Sequence, residues 1–221
     1  MRLLDIRGCI VTADALNCQR ATAEQITNQG GTFVLALKGN HSTLYEGAQI
    51  FAEFAAKDNY IDLLTDVVHT CDKGHDRIET RSYRVIDLPD TTAWADAKKA
   101  WHGLKSIGIA ECTRQTDNKT STETRYYLTG ISVAEGNSAK RFARASRYHW
   151  GIENRLHWVL DVCFNEDDCC VRKDNGPENL ATLRKLALNL IRRDTLTKAG
   201  IKTKRMKAGW NDAYLESLLL N

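Results

Sequence analysis

The strongest helical pattern in the chain lies in RFARASRYHWGIENRLHWVLDVCFNEDDCCVRKDN, residues 141–175. Apolar residues recur there at helical spacing, which predicts one face that packs on a core. The residues of that face are Phe142, Ala145, His149, Ile152, Leu156, Val159 and Cys163. Because Glu153, His157 and Asp161 follow one another at intervals of four, a regular helix places them along one edge beside the apolar face. A carboxylate at such a rim is held rigidly but stays open to solvent and substrate, as a metal ligand must be.

A second acid, Asp14, follows a predicted strand. Residues 9–13 (CIVTA) form a short apolar run, residues 17–29 have helical spacing, and residues 32–37 (TFVLAL) form another buried strand. A strand, a helix and a strand with short links predict a right-handed crossover and a parallel strand pair. Ligands of such sheets bind beyond the carboxyl ends of the strands, where we expect Asp14. The alternative is a turn-forming Asp that caps the next helix, and the alternative for Glu153 is a solvated Glu-x-x-x-His pair on an amphipathic helix.

The remainder of the chain predicts further helices and strands. The predicted helices are residues 43–57, with Thr43 and Glu46 as a capping box, residues 94–101, and a helix that begins at Pro177. The predicted strands are residues 66–70, 77–86, 106–112 and 123–129. The turn-favouring Asp72-Lys73-Gly74 joins the first two strands, and a polar loop, RQTDNKTS at residues 114–121, joins the last two. Residues 198–209 are basic and poorly periodic, which is typical of a flexible tail that touches DNA phosphates or of a simply solvated run.

Composition limits the classes of protein to which the chain can belong. Hydrophobic residues make up 43% of the 221 residues, which is enough for a core. Residues 141–221 carry 15 Lys and Arg against 10 Asp and Glu, a net charge of +5, and this suits a nucleic-acid partner. Seven cysteines without Cys-x-x-Cys spacing predict free thiols and a cytoplasmic protein. No apolar run approaches the roughly 20 residues of a membrane span, so we expect no membrane partner.

Several segments of the sequence together resemble one family. The C-terminal signature of DDE-type insertion-sequence transposases is similar to HWGIENRLHWVLDV, EDD and RKDNGPENLATLRKLALNL, within residues 149–190. The segment that carries the family's second catalytic Asp resembles VTADALNCQ and GGTFVLALKGNHSTLYE, within residues 11–46. The most similar subgroup is that of the H-repeat-associated (Rhs element) proteins. The resemblance implies that Asp14 is the second acid, and Glu153 the third, of a catalytic triad.

The resemblance also implies a fold and a chemistry. The fold is α/β, a ribonuclease H-like core that is incomplete at the N-terminus, with a β-rich insertion before the helix that carries the last catalytic acid. The implied parts are a partial core at 1–60, the insertion at 61–135, C-terminal core helices at 136–197 and a basic tail at 198–221. Asp14 and Glu153 are implied to hold Mg²⁺ or Mn²⁺ in a two-metal site that cleaves transposon ends and transfers the strand into target DNA. The implied partners are these DNAs and a second copy of the chain in a possible homodimer.

Basic side chains near the two acids are candidates for phosphate contacts, because Arg in particular donates two hydrogen bonds to a phosphate at once. The candidates are Lys38, Arg144, Arg147, His149, Arg155, Arg172 and Lys173. A plain surface loop is the alternative for Lys38, and simple packing is the alternative for His149. Asp167 and Asp168 are either further acids near the site or part of a solvated loop.

The sequence departs from the family in two places. Nothing matches the Leu-Asp-Gly-Lys-like stretch with the first catalytic Asp, and Asp5 precedes Asp14 too closely to replace it. Many relatives carry Tyr, Arg and Lys around the last acid, where this chain has Ser146, His149 and Leu160. We therefore expect the C-terminal part of a transposase, inactive as an isolated chain. The alternatives are a catalytically dead DNA-binding remnant and an unrelated α/β domain without a nucleic-acid role.

Overall fold

The computed structural model describes residues 4–74, 77–117 and 119–220. The chain divides into two compact units, Met1–His149 and Trp150–Asn221, and each is described by itself. The first unit holds all the described strands, and the second is helical.

A six-stranded sheet with the strand order β1-β2-β6-β5-β4-β3 forms the centre of the first unit. Its strands are β1 (Ile10–Ala13), β2 (Thr32–Leu37), β3 (Thr65–Gly74), β4 (Arg77–Asp87), β5 (Ser106–Thr116) and β6 (Lys119–Thr129). The pair β1 and β2 is parallel, as the strand–helix–strand pattern predicts, and every other neighbouring pair is antiparallel. The predicted α/β class is therefore confirmed.

Helices cover both faces of this sheet because its strands alternate inward-facing residues with period two. The helices are α1 (Arg20–Asn28), α2 (Ser42–Lys57), α3 (Thr92–Ala100) and α4 (Ser138–Ile152). One core contains Phe33, Leu35 and Leu128 together with Ile26 of α1 and Ala48 of α2. The other core, on the opposite face, contains Val34, Tyr83, Val85, Tyr127 and Phe142 of α4. We call this second surface the α4 face of the sheet.

Contacts of Phe142 and of the helix N-terminus fix α4 on that face. A Cβ atom at Gly108 of β5 would lie 2.5 Å from the ring of Phe142, so only glycine lets the helix approach this closely. The Phe142 ring in turn meets Tyr127 edge-on, with ring centroids 5.2 Å apart. At the start of the helix, Asp66 Oδ2 accepts hydrogen bonds from Ser138 Oγ and from the Ala139 N–H, each 2.9 Å long. A carboxylate from β3 thereby satisfies the first free donors of α4.

The antiparallel strands are longer than the sequence predicts. The predicted turn at Asp72-Lys73-Gly74 is wrong, because these residues extend β3 and pair with β4; the connection itself lies outside the described residues. The predicted loop at 114–121 is also wrong, because residues 114–116 pair with residues 119–121. Cross-strand pairs of polar side chains, such as the Thr113 and Thr122 hydroxyls 3.0 Å apart, continue the ladder where apolar alternation ends. The predicted capping box of α2 does not form, because the helix begins at Ser42 and His41 at its N-cap makes no side-chain cap bond.

The second unit begins with the last three residues of α4, passes through a π-helical turn, Glu153–His157, and continues as helices. These helices are α5 (Trp158–Phe164), α6 (Gly176–Arg193), α7 (Ile201–Trp210) and α8 (Asp212–Leu220). The segment expected to be a basic tail is therefore folded. Lys204 is buried because its ammonium group donates to the Asp194 carbonyl and lies 3.4 Å from Asp194 Oδ2, which also accepts from the Tyr214 hydroxyl at 2.6 Å.

The arrangement of the sheet is compatible with a ribonuclease H-like core. The strands β3 to β6, from the region expected to be an insertion, continue the same sheet as β1 and β2. The incomplete N-terminus, the insertion and the four-part division of the chain stay predictions.

Candidate active site

Asp14 is the first residue after β1, and Lys38 is the first residue after β2. Because these strands are parallel, both residues lie at the same edge of the sheet, beyond the carboxyl ends of the strands. The structure thus places Asp14 where the strand–helix–strand pattern predicts it.

The Asp14 carboxylate uses one oxygen locally and leaves the other open. Its Oδ1 atom accepts hydrogen bonds from the Asn17 N–H at 3.0 Å and from Asn17 Nδ2 at 2.9 Å. These bonds shape a turn; they do not cap α1, whose N-cap is Gln19. The Asn17 N–H lowers the pKa of Asp14, and the Asn17 amide, His149 and Lys38 lower it further. Asp14 is therefore ionised at neutral pH, and among the described residues Oδ2 has no hydrogen-bond partner.

The loops after β1 and β2 are tied to each other. Asn40 Nδ2 donates to the Ala15 carbonyl at 2.6 Å, and His41 Nε2 lies 2.6 Å from the Cys18 carbonyl oxygen. Both bonds join residues more than 20 positions apart in sequence. The turn that holds Asp14 is consequently fixed against the segment that follows Lys38.

His149 anchors α4 beside this edge. Its Nδ1 atom lies 3.1 Å from Thr12 Oγ1, and its side chain is half-buried. Asp14 comes two residues after Thr12, just beyond the end of β1, and its pKa, lowered mainly by the Asn17 N–H, is lowered further by the charges of His149 and Lys38. The first unit therefore brings Asp14, Lys38 and His149 together at one edge of the sheet. The role of His149 as a phosphate contact stays a prediction.

The two other candidates on α4 point elsewhere. The Arg144 guanidinium lies over the Tyr148 ring, 5.5 Å from its centroid. Arg147 Nη2 lies 3.5 Å from Asp72 Oδ2, near the far end of β3. Both arginines are exposed.

In the second unit, Glu153 is the first residue of the π-helical turn and is exposed. The Trp158 N–H donates to the Glu153 carbonyl five residues earlier, which is the bond that defines such a turn. The predicted edge of Glu153, His157 and Asp161 assumed four-residue spacing, and this segment does not keep it. Ile152, predicted to lie on the buried face of the helix, is 47% exposed, so the predicted apolar face does not continue through this segment. Isolated π turns occur frequently at functional sites.

The remaining candidates belong to this second unit. The Arg155 carbonyl accepts a hydrogen bond from the Arg192 guanidinium of α6. Arg172 donates back to the carbonyls of Cys169 and Val171, the latter at 2.9 Å, and Lys173 is exposed. Asp167 and Asp168 are also exposed, as a solvated loop predicts.

Among residues 4–74, 77–117 and 119–220 there is no group of three or more His, Cys, Asp or Glu side chains arranged to hold a metal ion. The chemistry of the two acids nevertheless fits a hard cation. Asp14 offers an ionised carboxylate with an unpaired oxygen, and Mg²⁺ prefers carboxylate oxygens. Glu153 is an exposed carboxylate without a hydrogen bond or salt bridge to the described part of its own unit.

Comparison with known proteins identifies the family. The family described as Transposase DDE domain matches residues 1–190. Similar curated proteins include "H repeat-associated putative transposase YhhI" of Escherichia coli K12, 36% identical over 99% of this chain and 57% of that protein. "Putative protein YbfL" of the same strain is 37% identical over the same shares. "Putative transposase YncI" of Escherichia coli O157:H7 is 36% identical over 99% of this chain and 55% of that protein.

The chain thus spans little more than half the length of these relatives. Among the helices of the described residues, none is long and apolar enough to cross a membrane. Because the family match extends over most of the sequence, this chain belongs to the transposases with a DDE domain.

Proposed function

We propose that this chain carries two of the three catalytic acids of an insertion-sequence transposase, Asp14 and Glu153, and that the complete protein uses them with Mg²⁺ or Mn²⁺ to cleave and join DNA. The observation that carries the proposal is the environment of Asp14. It is ionised, held by a turn at the shared carboxyl edge of two parallel strands, and flanked by Lys38 and His149.

The proposed reaction exchanges phosphodiester bonds at the transposon end. Water oxygen attacks the phosphorus, the P–O3′ bond breaks, and the transposon strand keeps a free 3′-hydroxyl. That hydroxyl then attacks a phosphorus in target DNA and displaces its 3′-oxygen. A divalent cation, when bound, activates the attacking oxygen and neutralises charge on the phosphate.

The side chains of this chain supply position and charge. The open oxygen of Asp14 is the proposed ligand from the first unit, and Glu153 is the proposed ligand from the second. Lys38 is placed to neutralise a phosphate oxygen near Asp14, since a lysine binds phosphate as a point charge. His149 holds the end of α4 against β1 through Thr12.

DNA is the proposed partner. The residues proposed to meet its phosphates are Lys38, Arg144, Arg147, His149, Arg155, Arg172 and Lys173. Support comes from the family, and from the exposure of Lys38, Arg144, Arg147, Arg155, Arg172 and Lys173. Because only two of the three acids of the family pattern have been identified here, we expect the 221-residue chain alone to bind DNA without cleaving it.

The test is Mg²⁺-dependent nicking of plasmid DNA that carries the ends of the element. It uses the full-length protein that contains this chain, and compares Asp14→Asn and Glu153→Gln with the control Asp167→Asn. We expect each of the first two variants to lose cleavage by at least about a hundredfold, because several kcal/mol of charge stabilisation depend on the metal ligands. The exposed-loop control is expected to cleave like the wild type. If either acid variant cleaved DNA normally, that acid would not be a catalytic metal ligand.

A further inference from the structure

Three arginines surround one buried carboxylate, that of Glu79 on β4, far along the strand from the hydrophobic core. Glu79 is only 5% exposed. Arg77 Nε and Arg114 Nε each lie 3.0 Å from its Oε1 atom, and the Arg81 guanidinium pairs with Oε2. Burying an acid at this position requires such partners, because an unpaired buried charge is costly.

Strand register places this cluster on the α4 face. Side chains two residues apart share a face of a strand, so Arg77, Glu79 and Arg81 lie on the same side of β4 as Tyr83, which packs against Phe142. Glu79 pairs with Arg114 on the neighbouring strand β5 and with Asp72 on the other neighbouring strand, β3. Arg147 of α4 lies beside Asp72, with 3.5 Å between Arg147 Nη2 and Asp72 Oδ2. Four arginines therefore meet two carboxylates here, which leaves a net charge of +2.

The arginines keep donors free for a further anion. The side chains of Arg77, Arg114 and Arg147 are 47%, 54% and 49% exposed, whereas the Glu79 side chain is 6% exposed. Each guanidinium has five N–H donors, and the contacts with Glu79 and Asp72 use only some of them. A structural salt bridge between two strands needs one arginine. Here Arg81 also pairs with Asp72, so four arginines share two carboxylates, and the excess positive charge favours a bound phosphate.

Further basic residues lie on the same face between the Glu79 cluster and Asp14. On β6, Arg125 Nε pairs with Glu123 Oε1 at 2.7 Å. Lys38 follows Leu37, which pairs with Tyr126 next to Arg125. Arg114 of β5 pairs with Ser121, two residues before Glu123 on β6. From β2 to β4 the band crosses three strand spacings, roughly 14 Å, the axial length of about four base pairs of duplex DNA.

We infer that the α4 face of the sheet binds the phosphate backbone of duplex DNA along a band that begins at Lys38, beside the candidate active site, and continues through Arg125, Arg114, Arg81, Arg77 and Arg147. This inference rests on the proposed function only in taking DNA as the partner. Glu79 is a positioning residue that holds three guanidinium groups at fixed places on a rigid sheet. Planar Arg forks at fixed positions match phosphate geometry better than mobile lysines do.

The test measures the affinity of the 221-residue chain for a short random-sequence duplex at several salt concentrations. The logarithm of the binding constant falls with the logarithm of salt, with a slope of about −0.9 for each phosphate contact. We expect Arg114→Ala to reduce the magnitude of this slope by about 0.9 and to weaken binding at low salt. The control Lys73→Ala removes the same charge from the opposite face of the neighbouring strand and is expected to leave the slope unchanged.

A second variant distinguishes the loss of a phosphate contact from the loss of the folded structure. Arg114→Lys keeps the charge next to Glu79, and we expect it to keep the wild-type slope and lose only a few-fold in affinity. If Arg114→Ala and Lys73→Ala behave alike while the wild type binds DNA, the band is wrong and the proposed function stands. If the wild type shows no salt-sensitive DNA binding, the DNA partner of the proposed function is wrong as well.

Discussion

Asp14 and Glu79 are carboxylates on the same sheet with opposite environments. Asp14 is exposed, accepts two hydrogen bonds at one oxygen and leaves the other open. Glu79 is buried, and arginines occupy both of its oxygens. Asp14 can therefore bind a further cation, whereas Glu79 holds the arginine guanidinium groups in place. Exposure and the number of partners, more than residue type, decide which task a carboxylate performs.

Helix α4 serves both regions. His149 reaches Thr12 beside Asp14, and Arg147 reaches Asp72 beside the Glu79 cluster. The contacts that seat α4 on the sheet, at Gly108 and Asp66, should therefore affect both regions at once.

Neutralising each of the two acids should change the free energy of unfolding by very different amounts. We expect Glu79→Gln to lower the free energy of unfolding by about 1–3 kcal/mol, because three arginines lose their shared partner, a loss moderated by their contact with solvent. Asp14→Asn should change stability by less than about 0.5 kcal/mol, since an exposed Asn still accepts the turn hydrogen bonds. Urea denaturation of both variants measures the difference. Equal losses would mean that Asp14 is a structural acid.

Gly108→Ala tests whether close packing of α4 is what links the regions. The added Cβ atom would lie 2.5 Å from the Phe142 ring, so we expect a loss of about 1–3 kcal/mol from overpacking. Gly47→Ala is the matched control, because a Cβ atom there meets only the Trp94 ring at 4.0 Å and alanine favours the helix. Thermal denaturation should therefore separate the two variants, with Gly47→Ala at or above the wild-type midpoint.

Asp66→Ala tests the start of the same helix, with a smaller effect. Loss of the cap should cost about 1 kcal/mol at neutral pH. The Ala139 N–H is the main cause of the lowered pKa of Asp66, whose ordinary value is 3.8. A lowered pKa stabilises the fold above the unfolded value and loses that contribution as pH falls through the folded value.

The difference between wild type and Asp66→Ala should thus be full above about pH 5 and shrink below pH 3.8. Asp66→Asn retains an acceptor oxygen and serves as the control. A difference that stays constant with pH would show that the carboxylate charge does not contribute.

The parts of the fold with strong local patterns could be predicted from sequence. The apolar runs around β1 and β2, separated by a helix, led to the parallel pair and to the position of Asp14. The long hairpins could not be predicted, because polar residues such as Thr113 and Thr122 form the ladder through partners on another strand. The Glu79 cluster depends on the same register, which brings Arg114 from 35 residues away.

Two further features lacked a signal in the sequence. The π-helical turn at Glu153 is a shift of backbone hydrogen bonds, and no residue type specifies it. The helix α7 looked like a basic tail because the partner that buries Lys204, Asp194, lies ten residues earlier and outside the segment.

The most direct test of the central claim is a titration of Mn²⁺ into the 221-residue chain, followed by electron paramagnetic resonance. Mn²⁺ replaces Mg²⁺ at oxygen ligands and reports binding without any DNA cleavage. We predict that Asp14→Asn and Glu153→Gln each weaken Mn²⁺ binding about tenfold, while Asp167→Asn binds like the wild type. Mn²⁺ binding that Asp14→Asn abolishes and Glu153→Gln leaves intact, or no binding by the wild type, would contradict a site shared by the two acids.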